Sequence, residues 1–377
     1  MAVLFHKRAD ARPELHGRPL TAPHRADDYD LDTVRVAFED FMSHRLFFAD
    51  GVRVPELSRV QGAGMSHVTF RARVSWSGAG NPSAAVVLRL PDLDAPAHDR
   101  IVREYRAQAL LRRAGLPVPE PAWTGFDDPV LGDDFYVMQL VRGRSTTDDP
   151  PYHRAGWLRE AGPDVQAAVW DQALSHLRDL HRIDWREGGF GFLAEGLPDS
   201  ESPLTDALID RIGSVIDTHG AGPDGARLAA ALDWLERNAP EPAGEESLVW
   251  LDPHLSNFLF DGPNCTAMLD WESISIGDPA LDLAALVWTD EQEQRLAGDR
   301  LPGIPSERET VTRYQDLLGQ PMVNYPYYKI LYGVLSASWL LLVHGRLVVR
   351  GALQGVEDEQ VVPDETLEAI EDMIERL

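Results

Sequence analysis

Apolar residues recur at helical spacing over residues 31–47, at Leu31, Val34, Val36, Phe38, Phe41, Met42 and Phe47, and predict an amphipathic helix. From Leu57 the period changes. Residues 68–74 alternate like a strand, residues 84–90 form a short apolar run, and Gly78, Gly80, Asn81 and Pro82 between them read as a hairpin connection. Helical spacing returns over 99–114 through Ile101, Val102, Tyr105, Ala109, Leu110 and Leu111; Gly115 ends it, and Pro117, Pro119 and Pro121 form a stiff connector. Residues 135–141 predict a further strand. Past a join at Arg142-Gly143 the pattern is mainly helical, with candidates at 165–183, 204–218, 226–238, 308–318, 327–343 and 365–377. Two short strands interrupt them, near 258–260 and 266–269. The expected organisation is an arm and helix over 1–45, a small strand-rich lobe over 46–142, and a large helical lobe over 143–377.

Composition narrows the function classes. A length of 377 residues exceeds the roughly 250–300 that one core usually serves, which fits two lobes. The charge of −26, from 61 acidic and 35 basic residues, argues against nucleic-acid and anionic-membrane partners. It serves either solubility or long-range attraction of a cationic substrate. Cys265 is the single cysteine, so the chain has no internal disulfide and no cysteine-based zinc cluster, in keeping with a reducing cytoplasm. Residues 1–17 lack the apolar core of a signal peptide. The apolar stretch 330–343 is about a third too short for a bilayer span and is expected as a buried helix. Of the basic residues only Lys7 and Lys329 are lysine.

Candidate chemistry is concentrated in residues 248–286. Asp252 and Asn257 are five apart, with Pro253 and His254 between them, and Asn257 opens the strand Phe258-Leu259-Phe260. A turn at Asp261-Gly262-Pro263-Asn264 returns the chain to a strand ending at Asp270. Such a hairpin brings Asn257 and Asp270 to one end, where an amide oxygen and a carboxylate suit Mg²⁺. Asp252 is then free to orient an acceptor hydroxyl and take its proton, the division of labour that phosphoryl transfer requires. The bland alternative is a purely structural loop and hairpin. Gly277-Asp278-Pro279 adds a helix start, with aspartate at the cap and proline at the first position.

These motifs resemble those of the aminoglycoside phosphotransferase family, whose fold is like that of protein kinases. Asp252-Pro253-His254-Leu255-Ser256-Asn257 matches the family's D-x-H-x-x-N, Leu269-Asp270-Trp271-Glu272 its second motif, and Gly277-Asp278-Pro279 through Asp282-Leu283-Ala284 its third. The nearest look is to the branch related to the kinase-like domain of some acyl-CoA dehydrogenases. The resemblance implies an α+β, two-lobed protein-kinase-like fold with an antiparallel sheet in the small lobe. It implies an ATP- or GTP-dependent enzyme with Mg²⁺ that phosphorylates a hydroxyl of a small molecule. Asp252 is the implied catalytic residue, and Asn257 and Asp270 are the implied metal ligands. Gly62, Gly64 and Ser66 fall in the phosphate-covering loop. Arg89 occupies the place of the residue that grips the nucleotide phosphates, steadied by Glu104, and Gln139 to Val141 the hinge that receives adenine. His254 either contacts the phosphate or acceptor, or makes a structural bond within the loop. Asp282 is expected to hold the catalytic loop through its backbone, and His181 to pack or cap at the end of its helix.

Two positions depart from the family pattern. Arg89 stands where lysine is usual, and arginine keeps the charge and adds a two-pronged grip on phosphate. Leu251 stands where glycine is usual, and glycine there would let the chain take a conformation a branched side chain dislikes. They motivate an alternative, a catalytically impaired pseudokinase that binds a nucleotide or a partner; retention of Asp252, Asn257 and Asp270 speaks against it. The sequence leaves the oligomeric state open.

Overall fold

The alternation of strand β3 (Ser83–Pro91) decides where the chemistry of the first part of the chain can sit. Ala84, Val86, Leu88 and Leu90 pack into one core with Val34, Phe38 and Phe41 of helix α1 (Leu31–Arg45). Val87 points the other way, into a second cluster with Ile101 of α2 (Ala97–Arg113) and Tyr136 and Met138. Arg89 shares the parity of Val87, so it lies on the α2 face.

The computed structural model describes residues 29–60, 67–91, 97–126, 131, 134–349 and 360–377. The chain forms two compact units, one of 1–142 with 267–272, the other of 143–266 with 273–377. In the first unit β1 (Arg53–Arg59), β2 (His67–Ser75), β3, β4 (Pro121–Thr124) and β5 (Tyr136–Gln139) form an antiparallel sheet in the order β1-β2-β3-β5-β4. β2 and β3 pair without a break from His67↔Pro91 to Ser75↔Ser83. Asp30 caps α1 by accepting the Thr33 amide at 2.8 Å. α1 is tied to β1 where the Val54 amide donates to Glu39 at 2.7 Å.

The second unit contains α3 (Trp157–Glu160), α4 (Pro163–His181), α5 (Pro203–His219), α6 (Pro223–Arg237), α7 (Ala280–Ala297), α8 (Glu307–Leu318), α9 (Tyr325–Val349) and α10 (Asp364–Glu375). β6 (Ser247–Val249) pairs with β9 (Ser275–Gly277), and β7 (Phe258–Asp261) with β8 (Asn264–Met268). α9 packs against α5, α6, α7 and α10. It is longer than the apolar stretch that marks it in the sequence, and by length and composition alone it meets the requirement for crossing a membrane. Its Tyr327, Tyr328, Ile330, Leu331, Tyr332, Val334, Ala337 and Leu341 are buried in the core of this unit. α7 begins one residue later than Asp278-Pro279 suggests, and the Asp278 carboxylate accepts the Ala280 amide at 2.8 Å.

Candidate active site

In the second unit β6 delivers Trp250, Leu251 and Asp252. Leu251 has φ +66°, the left-handed region that costs a branched L-residue about 1–2 kcal/mol. The compensation is visible: the Trp250 and Leu251 amides each donate to the Asp282 carboxylate at 2.7 Å. Asp282 is fully buried near the start of α7. Its Oδ2 also bonds His181 Nε2 at 2.9 Å, and His181 Nδ1 lies 2.5 Å from the Tyr314 hydroxyl. One proton arrangement satisfies the whole line, with Nε2–H donating to Asp282 and Nδ1 accepting from Tyr314. His181 is therefore more than a packing or capping residue. It braces the carboxylate on which the loop hangs.

Asp252 sits just past the strained residue, half-buried. Its Oδ2 accepts from Asn257 Nδ2 at 2.8 Å, and its Oδ1 lies 3.0 Å from His254 Nε2. Asn257 Nδ2 also donates to the Asp252 main-chain oxygen at 3.0 Å, and His254 Nδ1 lies 2.5 Å from the Ser256 hydroxyl. The short 3₁₀ turn Leu255–Asn257 sets this spacing. The Ser145 hydroxyl, donating to the Ser256 carbonyl, ties the turn to the chain that enters this unit. With its amide nitrogen so used, Asn257 keeps its side-chain oxygen for another partner. His254 thus contacts both Asp252 and Ser256, and Glu293 lies within its electrostatic reach. Burial and the nearby Asp148 carboxylate push Glu293 up to about 8. Sequence reasoning passed over Glu293, although its spacing of eleven from Asp282 puts both on one face of α7.

In the first unit Arg89 is buried between two carboxylates, 3.3 Å from Glu104 and 3.0 Å from Asp270. Burial alone would lower the Arg89 pKa; Glu104 and Asp270 overcome it and raise it well above the ordinary value. Burial pushes Glu104 up to about 7, against the opposing pull of Arg89. Asp270 has φ +59°, in a segment fixed by the Met268 amide donating to the Pro117 carbonyl at 2.7 Å. At the hinge the Gln139 and Leu140 amides donate to the carbonyls of Glu120 and Ala85, and Val141 follows them. Gly62, Gly64 and Ser66 lie outside the described residues, in the stretch of sequence between β1 and β2. Of the two expected metal ligands, Asn257 belongs to the second unit and Asp270 to the segment grouped with the first. Among the described residues no group of three or more His, Cys, Asp or Glu side chains gathers to hold a metal.

A sequence model of the phosphotransferase enzyme family, APH, matches residues 67–309, more than half of the chain. Acyl-CoA dehydrogenase family member 11 of Rattus norvegicus is 31% identical over 221 residues, 56% of this chain and 27% of that protein. Its Gallus gallus counterpart is 32% identical over 191 residues, 50% of this chain and 23% of that one. The chain thus spans less than a third of the length of these relatives. Among solved structures, a Ralstonia eutropha JMP134 protein provisionally described as an aminoglycoside phosphotransferase has a TM-score of 0.65 at 23% identity, covering 90% of this chain and 95% of that one. Aminoglycoside phosphotransferase APH(4)-Ia, in a ternary complex with AMP-PNP and hygromycin B, has a TM-score of 0.54 at 18% identity, covering 90% and 98%. These likenesses show the fold, the protein-kinase-like α+β architecture of the aminoglycoside phosphotransferases.

Proposed function

The chain belongs to the phosphotransferase enzyme family, and from that premise we propose that it transfers the γ-phosphoryl group of ATP or GTP to a hydroxyl of a small molecule. The observation that carries this reading is the closed set around Asp252. Asn257 and His254 hold its carboxylate on both oxygens, and Asp282 fixes the two residues before it. A carboxylate so oriented accepts the hydrogen bond of an incoming hydroxyl and then its proton. The hydroxyl oxygen forms the new bond to phosphorus as the bond from phosphorus to the leaving diphosphate breaks.

The nucleotide belongs to the residues of the first unit. Arg89 brings the positive charge of its guanidinium, held by Glu104 and Asp270, to the phosphates. The hinge backbone at Gln139 to Val141 takes the base. Asn257 in one unit and Asp270 in the other each offer a hard oxygen ligand of the kind Mg²⁺ takes. When bound, that ion neutralises phosphate charge. APH(4)-Ia takes an ATP analogue and hygromycin B; nucleotide and small-molecule acceptor here follow by analogy.

The test has two stages. ATP with Mg²⁺ raises the melting temperature of the wild type, and Asp270→Ala removes the magnesium-dependent part. ATP turnover is then screened over hydroxylated metabolites, and Asp252→Asn abolishes each hit. A protein whose melting curve neither nucleotide nor metal moves is not this enzyme, and a hit that survives Asp252→Asn sinks the assigned base.

A further inference from the structure

The second unit has six tyrosines, all nine-tenths or more buried. Five have a hydroxyl partner inside the chain. Tyr152 donates to Asp290 at 2.6 Å, Tyr325 to Glu307 at 2.9 Å and Tyr327 to the Leu235 carbonyl at 3.1 Å. Tyr314 pairs with His181 at 2.5 Å, and Tyr328 with Thr205 at 3.4 Å. Tyr332, 7% exposed, makes no hydrogen bond with the described residues. Its oxygen is not among the fully enclosed side-chain atoms that lack a partner, so the hydroxyl of this otherwise buried residue opens to solvent. It is thus left for water or a bound molecule.

Its position says where that partner comes. Tyr328, Tyr332 and Ser336 are one turn apart on one face of α9. Tyr328 meets Thr205 of α5, and the Ser336 hydroxyl accepts from Trp288 Nε1 of α7 at 2.9 Å. Tyr332 thus lies between these anchors, on a face of α9 that packs against α5 and α7, with Asp252 and Asp282 within its electrostatic reach. Burial, and after it the negative charges of Asp252 and Asp282, keep the proton on its hydroxyl. It is a donor. Asp282 is already occupied by two amides and His181, and both Asp252 oxygens have partners.

Building on the phosphotransferase reading, we propose that Tyr332 is an acceptor-binding residue, donating a hydrogen bond to an oxygen of the molecule held at Asp252. The acceptor then carries an oxygen lone pair beside the hydroxyl to be phosphorylated, as polyols and sugars do. A flanking ammonium, itself only a donor, leaves Tyr332 without a partner.

The experiment measures Mg²⁺-dependent ATP turnover by wild type and Tyr332→Phe, with water alone and with glycerol, ribose and myo-inositol as probes. Melting curves are recorded alongside, with Tyr314→Phe as the internally bonded control. The wild type is expected to be stimulated by at least one probe. Tyr332→Phe then loses at least tenfold in kcat/KM for that probe, keeps its KM for ATP, and melts no lower than wild type, whereas Tyr314→Phe melts lower. Turnover within twofold of wild type overturns the proposal. So does a fall in melting temperature like that of Tyr314→Phe, which would reveal an internal partner. A wild type stabilised by magnesium and ATP but stimulated by no probe overturns the acceptor class assigned here. A wild type that neither binds nor turns over ATP ends the phosphotransferase reading, and this inference with it.

Discussion

Leu251 shows what a single backbone angle does at this site. Its φ of +66° is tolerated because its own amide and that of Trp250 end on Asp282. Glycine would remove a strain of about 1–2 kcal/mol but pay about 0.5–1 kcal/mol in lost chain entropy. Leu251→Gly should therefore raise stability by up to about 1.5 kcal/mol, read as a small increase in melting temperature. Leu251→Val, branched at the β-carbon, should lower it; equal melting of the two variants would mean that the angle is not strained. Arg89 is a different case, because its charge neutralises buried partners. Removing one member of a buried ion pair costs about 3–5 kcal/mol. Arg89→Ala should accordingly lower the melting temperature and abolish nucleotide-dependent stabilisation together. Arg89→Lys keeps the charge but not the fork that reaches Glu104 and Asp270 at once. It should retain nucleotide binding, seen as a surviving thermal shift with ATP.

At the scale of elements, the catalytic loop is braced by three helices. Asp282 belongs to α7, His181 ends α4, and Tyr314 lies on α8. Losing the Tyr314 hydroxyl leaves His181 Nδ1 without its donor, at about 1–3 kcal/mol. Asp282→Ala frees two backbone amides and a histidine at once and should cost more. If both variants melt alike, the brace does not run through the carboxylate. The docking of α10 shows which kind of contact dominates. Arg227 on α6 grips Glu371 of α10 with two bonds of 2.6 Å, yet these groups remain partly exposed to solvent, and such surface pairs contribute about 0–1 kcal/mol. Ile370 of the same helix is buried, and its truncation to alanine costs about 2–5 kcal/mol. Ile370→Ala should thus destabilise far more than Arg227→Met, and only the latter effect should shrink in high salt.

Over the whole molecule, the sequence was most legible where chemistry restricts residue choice. The Asp252-x-His254-x-x-Asn257 spacing, Asp270 and the Gly277-Asp278-Pro279 helix start could be read directly, as could every long periodic helix. β1, β4, β6 and β9 were not anticipated. Three of them have only three or four residues, too few to show a period, and β1 is broken by a bulge between Arg53 and Glu56. Links such as Tyr314 to His181, 133 positions apart, and the Tyr332 hydroxyl, which has no partner among the described residues, have no local pattern at all. The acid excess of the chain likewise acquires meaning only from burial. Glu104 in one unit and Glu293 in the other are held at about 7 and about 8, and Glu246 and Glu291 are raised by burial as well. A carboxyl whose folded value lies above its unfolded one binds more protons in the folded state between the two. Its stabilisation is full below the unfolded value, near 4.5, and is lost as pH rises through the folded value. Carboxylates held low, such as Glu309 beside Ser306 and Glu371 beside Arg227, act in the opposite sense and weaken the fold only as pH falls below about 4. The two sets together place maximum stability near pH 5, on the acid side of neutrality. Melting temperature should fall steadily from pH 5.5 to pH 8.5. Salt should restore part of the loss, because a chain of −26 also repels itself. Glu293→Gln should flatten this slope, by at most ~1.4 kcal/mol per pH unit, and melt above wild type at pH 8.5 while matching it at pH 5. A slope unchanged in that variant would mean that Glu293 is ionised throughout.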